Sequence, residues 1–171
     1  MAKVHFFYST MNAGKSTALL QSAHNYHETG NETILFIPRE DAEKNSGLIK
    51  SRIGLRAEAV VIDSKIKIFE YVKNETEKKQ IDAILIDEAQ FLKKHQVLEM
   101  CKVCDELDIP VMCYGIRTDF RGELFEGSAS LLALADNLIE LKTVCNECSR
   151  KATMVVRLDE NSNVVTEGSK V

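Results

Sequence analysis

Short apolar runs alternate with longer amphipathic segments over most of the sequence. Residues 4–8 form an apolar run that leads directly into a Gly-Lys-Ser turn, which favours a buried strand over a helix. From Lys15 onward, Leu19, Ala23 and Tyr26 recur at helical spacing, and Gly30 provides a C-terminal stop. The pattern therefore predicts a first strand followed by a first helix.

The same alternation continues to about residue 114. Strands that alternate with helices are typical of an α/β fold with a mainly parallel sheet, helices on both faces and a ligand site beyond the carboxyl ends of the strands. Two polar stretches between the apolar segments predict loops, the first of them mobile. The predicted strands are residues 33–37, 59–62, 83–86 and 111–114, the predicted helices are residues 65–80 and 93–107, and the predicted loops are residues 39–56 and 115–127.

The pattern changes after residue 141, where the helical periodicity ends. The short apolar and polar segments that follow predict a small β appendage. We therefore divide the chain into an α/β domain at residues 1–142 and an appendage at residues 143–171. The appendage segments are Cys145-Asn-Glu-Cys148, residues 151–158, a turn near residues 159–163, and Val164-Val165.

Composition narrows the class of protein. The chain has 171 residues, of which 44% are hydrophobic and 28% charged, as in a soluble globular protein with one main core. Its formal net charge of −4 argues against a protein that holds nucleic acid through a broad basic surface. Any phosphate group is therefore expected to bind at a local site.

Targeting features and cysteines indicate the compartment. No apolar run approaches the roughly 20 residues that span a bilayer, and the N-terminus lacks the features of a signal peptide. We therefore expect a cytoplasmic protein without membrane contact. The five cysteines include two Cys-x-x-Cys spacings, which fit reduced thiols or a metal site better than a disulfide framework.

A phosphate-binding motif lies at the first junction between strand and helix. Residues 9–16 match the P-loop pattern G-x-x-x-x-G-K-[ST] at every defined position except the first, where Ser9 replaces glycine. Backbone N–H groups and the helix dipole attract phosphate at such a junction, Lys15 neutralises phosphate oxygens, and Ser16 helps to hold Mg²⁺. The predicted ATP-binding residues in this loop are Ser9, Thr10, Met11, Asn12, Ala13, Gly14, Lys15, Ser16 and Thr17.

Two acidic residues follow the strand at residues 83–86. Asp87 and Glu88 resemble the second element of P-loop proteins, in which an acid binds the metal, so Asp87 joins Ser16 as a predicted magnesium residue. Glu88 is placed to take a proton from a nucleophile, as a general base does. Gln90 is assigned to the ATP site with Asp87. The alternative is a pair of solvated acids at the end of a strand.

Four motifs occur in a fixed order along the chain. They are Met11-Asn-Ala-Gly-Lys-Ser-Thr17, Asp87-Glu-Ala-Gln-Phe91, Tyr114-Gly-Ile-Arg-Thr-Asp-Phe-Arg-Gly-Glu-Leu-Phe125 and Cys145-Asn-Glu-Cys148. Together they resemble the thymidine kinases of the cytosolic, zinc-containing type, a P-loop family with a RecA-like sheet and a zinc-ribbon-like appendage. The resemblance extends from about Val4 to the end of the sequence.

The resemblance implies transfer of the γ-phosphoryl group of Mg-ATP to the 5′-hydroxyl of thymidine or deoxyuridine, with Glu88 as general base. It also implies a homotetramer that is inhibited by dTTP. Aromatic rings suit a flat base, although spacing alone favours a core role for each phenylalanine. The positions that match nucleoside contacts in the family are Phe91, Phe120, Phe125, Met11 and Ile116.

One position departs from the family. Relatives have an aspartate and, two residues later, an arginine that assist catalysis, and here Asp41 matches while Glu43 stands at the arginine position. Arg52 or Arg117 is expected to supply the cation instead, because a charge-stabilising arginine accelerates phosphoryl transfer by orders of magnitude. A solvated surface role is the alternative for each of these two arginines.

The cysteine pairs differ in their expected roles. Cys145 and Cys148 have the spacing of half a zinc site, and a tetrahedral structural site needs four ligands. In the family the other pair lies downstream, so the appendage is expected to be incomplete at Val171, before that pair and before a C-terminal loop that closes on the base. Free thiols are the alternative. Cys101 and Cys104 lie on an apolar helical stripe, which favours small buried residues over metal ligands.

Two other functions remain open from the residues alone. Asp87-Glu-Ala-Gln90 also fits a RecA-like ATPase whose glutamate activates water, although the chain is short for a two-lobed motor and lacks a basic stripe. A non-catalytic nucleotide-binding protein is the other alternative, suggested by Ser9 and Glu43.

Overall fold

The computed structural model describes residues 1–168, apart from the side chains of residues 44 and 45. Strands and helices alternate along the described chain, with a 3₁₀ turn at Ala89–Phe91. The strands are β1 Val4–Ser9, β2 Thr33–Pro38, β3 Leu48–Lys50, β4 Arg56–Glu58, β5 Val60–Ile62, β6 Ala83–Ile86, β7 Val111–Ile116 and β8 Asn137–Glu140. The helices are α1 Lys15–Glu28, α2 Arg39–Asn45, α3 Ile68–Thr76, α4 Lys94–Leu107 and α5 Glu126–Leu134.

Six strands form a parallel sheet in the order β5-β2-β6-β7-β1-β8. Because all six strands run in the same direction, their carboxyl ends lie at one edge of the sheet. The strand β7 lies between β1 and β6, so the segments that follow β1 and β6 face each other across the end of one strand. The predicted α/β fold with a mainly parallel sheet is confirmed.

Helices cover both faces of this sheet, and the central strands are buried on both sides. Ile84 and Ile86 of β6 pack into the core beneath α3, α4 and α5, whereas Leu85 packs into the core beneath α1. Successive side chains of a strand point to opposite faces, so a strand that is covered on both faces is apolar throughout. This explains why the unbroken apolar run at residues 83–86 is a strand.

The predicted first, second, fourth and fifth strands and the helix at residues 93–107 agree with the structure to within two residues. The predicted strand at residues 59–62 is β5, which begins one residue later. The predicted helix at residues 65–80 is too long, since α3 spans Ile68–Thr76. The Asp63 carboxylate accepts the backbone N–H groups of Lys65 and Ile66 at 2.9 Å, and this turn delays the start of the helix.

The predicted loop at residues 39–56 is wrong. This segment forms α2 and an antiparallel hairpin of β3 and β4. Ala42 and Ile49 are buried in the core beneath α1, with Ile49 only 1% exposed. Isolated apolar residues in a polar sequence give no periodic pattern, so the sequence alone does not reveal that this segment packs on the core.

The C-terminal third also differs from expectation. The sequence pattern predicted no helix or strand between residues 128 and 141, but most of α5 and the edge strand β8 lie there. The loop predicted at residues 115–127 is shorter than expected, because β7 extends to Ile116 and α5 begins at Glu126. The segment 126–134 is rich in Ala, Ser and Leu and has no polar face, because α5 packs closely on the sheet and on the 3₁₀ turn.

The described part of the appendage has little regular structure. Its backbone forms isolated antiparallel bridges, Val144 with Lys151 and Leu158 with Val164. The turn near residues 159–163 is confirmed, since the Asp159 carboxylate accepts backbone N–H groups of Asn161 and Asn163 at 2.8 Å. Residues 169–171 of the predicted appendage lie outside the described residues. Within residues 1–168, none of the helices combines the length and apolar character needed to cross a membrane.

Two isoleucines of the hairpin segment provide a test of its packing. Ile49 is 1% exposed and Ile53 is 72% exposed. We expect Ile49→Ala to lower the free energy of unfolding by about 3 kcal/mol, because it leaves a cavity beneath α1. Ile53→Ala, the matched control, is expected to change it by less than about 0.5 kcal/mol. Urea unfolding of both variants checks this, and equal effects would mean that the segment is an unpacked loop.

Candidate active site

The P-loop turns between β1 and α1 through two left-handed residues, Asn12 with φ 66° and Gly14 with φ 76°. The helix α1 has no side-chain cap and no acidic residue in its first turn. Its first backbone N–H groups therefore stay available to an anion, and the helix dipole makes that end positive. This end of α1 lies at the carboxyl edge of the sheet, as the sequence predicts for a phosphate site.

Lys15 and Ser9 lie together at the base of this loop. The Lys15 ammonium donates to the Ser9 hydroxyl at 3.1 Å and to the Thr10 carbonyl at 2.9 Å. Burial lowers the pKa of Lys15, with Arg52 adding to this effect while Glu88 and Asp87 oppose it. The serine that replaces the usual glycine is thus buried and holds the lysine across the loop. We find that Ser9 is compatible with the P-loop conformation.

Asp87 joins the loop to the neighbouring acidic segment. The Ser16 hydroxyl donates to one Asp87 oxygen at 2.7 Å, and the Glu88 backbone N–H donates to the other at 3.0 Å. Asp87 is 3% exposed, and its pKa is raised to about 6, first by burial and then by the negative charges of Glu88 and Asp41. A hydroxyl and a carboxylate in contact form the oxygen donor set that Mg²⁺ prefers.

Glu88 adopts a left-handed conformation, with φ 49° and ψ 39°. A residue other than glycine in this region is uncommon and marks local backbone strain, which often lies at functional sites. The turn leaves the side chain half-buried and directed to Gln90, whose amide nitrogen donates to its carboxylate. The charge of Glu88 acts on both Lys15 and Asp87, so these three groups form one cluster.

Two of the three predicted phenylalanines lie together. The rings of Phe91 and Phe125 meet edge to face, with centroids 5.8 Å apart. Phe120 instead packs against Arg157 of the appendage, whose guanidinium carbon lies 4.2 Å from the ring centroid. Met11 is exposed beside the P-loop, and Ile116 is half-buried at the end of β7. The structure therefore gathers these apolar side chains at the same sheet edge through different contacts.

The charged candidates separate into two groups. Asp41 of α2 and Arg52 of the hairpin turn act electrostatically on Asp87 and Lys15, respectively, so they belong to the phosphate side of the site. Arg117 faces the appendage, where it lies over the Tyr8 ring at 5.9 Å and donates to the Thr153 carbonyl at 3.4 Å. Glu43 is exposed and lies 4.0 Å from Arg39 on its own helix.

The loop between β7 and α5 is organised by a residue that the sequence analysis did not select. Asp119 is buried, accepts the backbone N–H groups of Arg121 and Glu123 at 2.8 and 3.0 Å, and binds the Arg121 guanidinium at 3.1 Å. Burial acts to raise the pKa of Asp119, but these hydrogen bonds hold it below its ordinary value. An aspartate three residues before Gly122 is a turn pattern that could have identified it.

The two Cys-x-x-Cys pairs occupy different environments. Cys145 begins a tight turn in which the Ser149 N–H donates to the Cys145 carbonyl at 3.2 Å. Hydrogen bonds from the backbone N–H groups of Glu147 and Cys148 lower the pKa of the Cys145 thiol. Cys104 is buried, and burial raises its pKa to about 12. Across residues 1–168 we find no group of three or more His, Cys, Asp or Glu side chains arranged around a metal position.

The raised pKa of Asp87 gives a stability prediction. Between about pH 4 and about pH 6 the folded state binds a proton that the unfolded chain has released, so this carboxyl destabilises the fold increasingly as pH rises through that range. Asp87→Asn removes the buried charge and should stabilise the ligand-free protein at about pH 8, by up to roughly 3 kcal/mol.

Thermal unfolding of both proteins in EDTA at several pH values measures this effect. The gain should shrink as pH falls from about 6 to about 4. Asp105→Asn, a matched change at an exposed aspartate of α4, should have no comparable effect. A variant that is less stable than the original at about pH 8 would contradict the prediction.

Comparison with known proteins agrees with this geometry. The family model described as Thymidine kinase matches residues 2–170. A thymidine kinase of Rhodopirellula baltica is 52% identical over 171 residues, which are all of this chain and 81% of that protein. Thymidine kinases of Zymomonas mobilis and Yersinia pestis are 51% and 52% identical, over 99% and 100% of this chain and 88% and 87% of their own lengths. The chain therefore belongs to the thymidine kinase family.

Proposed function

We propose that this protein is a kinase that transfers the γ-phosphoryl group of Mg-ATP to the 5′-hydroxyl of thymidine or deoxyuridine. The observation that supports this most directly is the meeting of Lys15, Asp87 and Glu88 at one edge of the sheet. Phosphoryl transfer depends on positioning and on charge neutralisation more than on covalent chemistry. The family name of the relatives supports thymidine as the acceptor.

The P-loop binds the phosphates in this proposal. The uncapped N–H groups of α1 donate to phosphate oxygens, and the Lys15 ammonium exchanges its neutral partners, the Ser9 hydroxyl and the Thr10 carbonyl, for charged oxygens. Ser16 and Asp87 would hold the magnesium ion, which would supply positive charge to the phosphate oxygens when bound. Asp41 and Arg52 adjust the field around these groups.

Glu88 acts as the general base. Its carboxylate takes the proton of the acceptor hydroxyl as that oxygen bonds to the γ-phosphorus of ATP, while the bond from this phosphorus to the β–γ bridging oxygen breaks and ADP leaves. Asp87 beside it would hold the metal. The nucleoside base lies against the Phe91 and Phe125 pair, with Met11 and Ile116 as apolar neighbours. Phe120 closes this side through its contact with Arg157, which couples the site to the appendage.

Zinc binding is proposed for the appendage. The tight turn between Cys145 and Arg150, closed by the Cys145 N–H bond to the Arg150 carbonyl, and the lowered pKa of the Cys145 thiol suit a thiolate ligand. Cys145 and Cys148 would hold one side of a structural zinc ion. We also propose a cytoplasmic homotetramer that is inhibited by dTTP, on the basis of the family resemblance.

The base assignment predicts a kinetic result. Glu88→Gln keeps the size of the side chain but cannot accept the proton, so kcat for thymidine phosphorylation should fall by roughly 100- to 10,000-fold while ATP binding is retained. Product formation from labelled ATP and the ATP dissociation constant measure the two effects. Glu106→Gln, at an exposed position of α4, is the control and should retain full activity.

Three results would contradict the proposed kinase function. Rapid ATP hydrolysis without a nucleoside would favour the ATPase alternative, and stimulation by nucleic acid would favour it further. Tight ATP binding without phosphorylated product from any nucleoside would favour a non-catalytic nucleotide-binding protein.

Zinc content is a separate measurement. Elemental analysis of the purified protein, produced with the downstream ligand pair that the family resemblance implies, should find zinc. Cys145→Ser and Cys148→Ser should each remove it, because a tetrahedral site loses affinity when one thiolate is lost. Cys101→Ser and Cys104→Ser are the controls, since these residues lie on α4. Zinc that persists in both appendage variants, or that is lost equally in the α4 variants, would show that the ion is bound elsewhere.

A further inference from the structure

Gln90 occupies a central position beneath the proposed base. The residue is 2% exposed, and both heteroatoms of its amide are bonded within the protein. The amide nitrogen donates to a carboxylate oxygen of Glu88, and the amide oxygen accepts the backbone N–H of Ile116 at 3.2 Å. An amide engaged in this way is poorly placed to contact a nucleotide, which is the role that the sequence pattern suggested.

The bond to Ile116 compensates for the short strand β6. The ladder between β6 and β7 ends where Ile86 pairs with Cys113, three residues before Ile116. The Ile116 N–H therefore lies beyond the end of β6 and needs another acceptor, since buried backbone donors are almost always paired. The amide oxygen of Gln90 replaces a strand carbonyl there, and this fixes the orientation of the whole amide.

Two glycines leave the space that this arrangement needs. A Cβ atom on Gly115 would lie 2.8 Å from the Gln90 amide oxygen, and a Cβ atom on Gly127 would lie 2.3 Å from the Ala89 carbonyl. The Ser128 hydroxyl donates to the Ile116 carbonyl at 2.6 Å, so both polar groups of Ile116 are held by side chains. The strand β7 and the helix α5 thus enclose the 3₁₀ turn that bears Gln90.

We propose that Gln90 is a positioning residue that orients the carboxylate of Glu88 for proton abstraction and anchors it to the end of β7. Its N–H group engages one carboxylate oxygen, which leaves the other oxygen directed to the acceptor hydroxyl. A base held in this way needs no reorganisation when the nucleoside binds. The inference rests on the proposed role of Glu88.

The left-handed backbone of Glu88 gives this contact its importance. Tight turns that depend on a strained residue persist only when surrounding contacts hold them. Gln90 is two residues after Glu88 and reaches back to it, so the same side chain that orients the carboxylate also stabilises the turn. Loss of the contact would leave the carboxylate free to rotate within the site.

The test is the pair Gln90→Glu and Gln96→Glu. Glutamate at position 90 keeps an oxygen for the Ile116 N–H but replaces the donor to Glu88 with a second carboxylate. Gln96 is a matched control because it is 4% exposed and its amide bonds the Lys93 N–H at 2.9 Å and the Asp63 carbonyl at 3.2 Å, away from Glu88. Gly115→Ala is a second variant, which displaces the Gln90 amide without changing its chemistry.

Steady-state kinetics with thymidine and ATP, run below the unfolding temperature of each variant, gives the readout. Gln90→Glu and Gly115→Ala should each lower kcat by roughly 10- to 100-fold and leave both KM values within about 3-fold. Gln96→Glu should lower the unfolding temperature but leave kcat of the folded enzyme within about 3-fold.

Several results would overturn the proposal. An equal loss of kcat in Gln90→Glu and Gln96→Glu would indicate a general structural role, and an increased KM for ATP at unchanged kcat would indicate a nucleotide contact. If Gln90→Glu fails to fold, full kcat in Gly115→Ala would suffice to reject the role. A wild-type protein that makes no product from thymidine would instead reject the proposed function itself, on which this role depends.

Discussion

The hydrogen bond between Ser16 and Asp87 is the contact on which the site depends. It joins the first turn of α1 to the end of β6 across the intervening strand β7, at 2.7 Å. A parallel sheet brings the two segments to the same edge, because parallel strands end together, and the order β6-β7-β1 places them one strand apart. The phosphate loop, the proposed metal residues and the proposed base all lie at this junction.

The burial of Asp87 at this junction costs stability. Asp87 is buried beside Glu88 and near Asp41, and its pKa is raised to about 6, so its charged form is disfavoured in the ligand-free protein. Lys15 of the same cluster is also buried, and its pKa is lowered, chiefly by burial. Metal and phosphate would satisfy both groups, which is the expected trade-off between stability and function at a site that binds charged ligands.

Structure could be predicted from the local sequence at positions where the backbone or the ligand requires one residue type. The P-loop, the acidic pair after β6 and the end of α1 near Gly30 could be predicted, because Gly14, Lys15 and Gly30 have conformational or chemical roles that act within a few residues. The helix α2 and the hairpin of β3 and β4 could not, since Ile49 is recognised as core only once α1 lies above it. The missed α5 and the contact of Phe120 with Arg157 likewise depend on distant segments.

The sequence by itself therefore determined the chemistry of this protein: a phosphate loop, two acids at a strand end and the family to which they belong. The tertiary structure decided how those groups are held. Gln90 shows the difference. The sequence places it beside the acidic pair, but only the structure shows that its amide oxygen accepts the Ile116 N–H beyond the end of β6. Such a role depends on the lengths of neighbouring strands, which are set by packing across the sheet and have no local pattern.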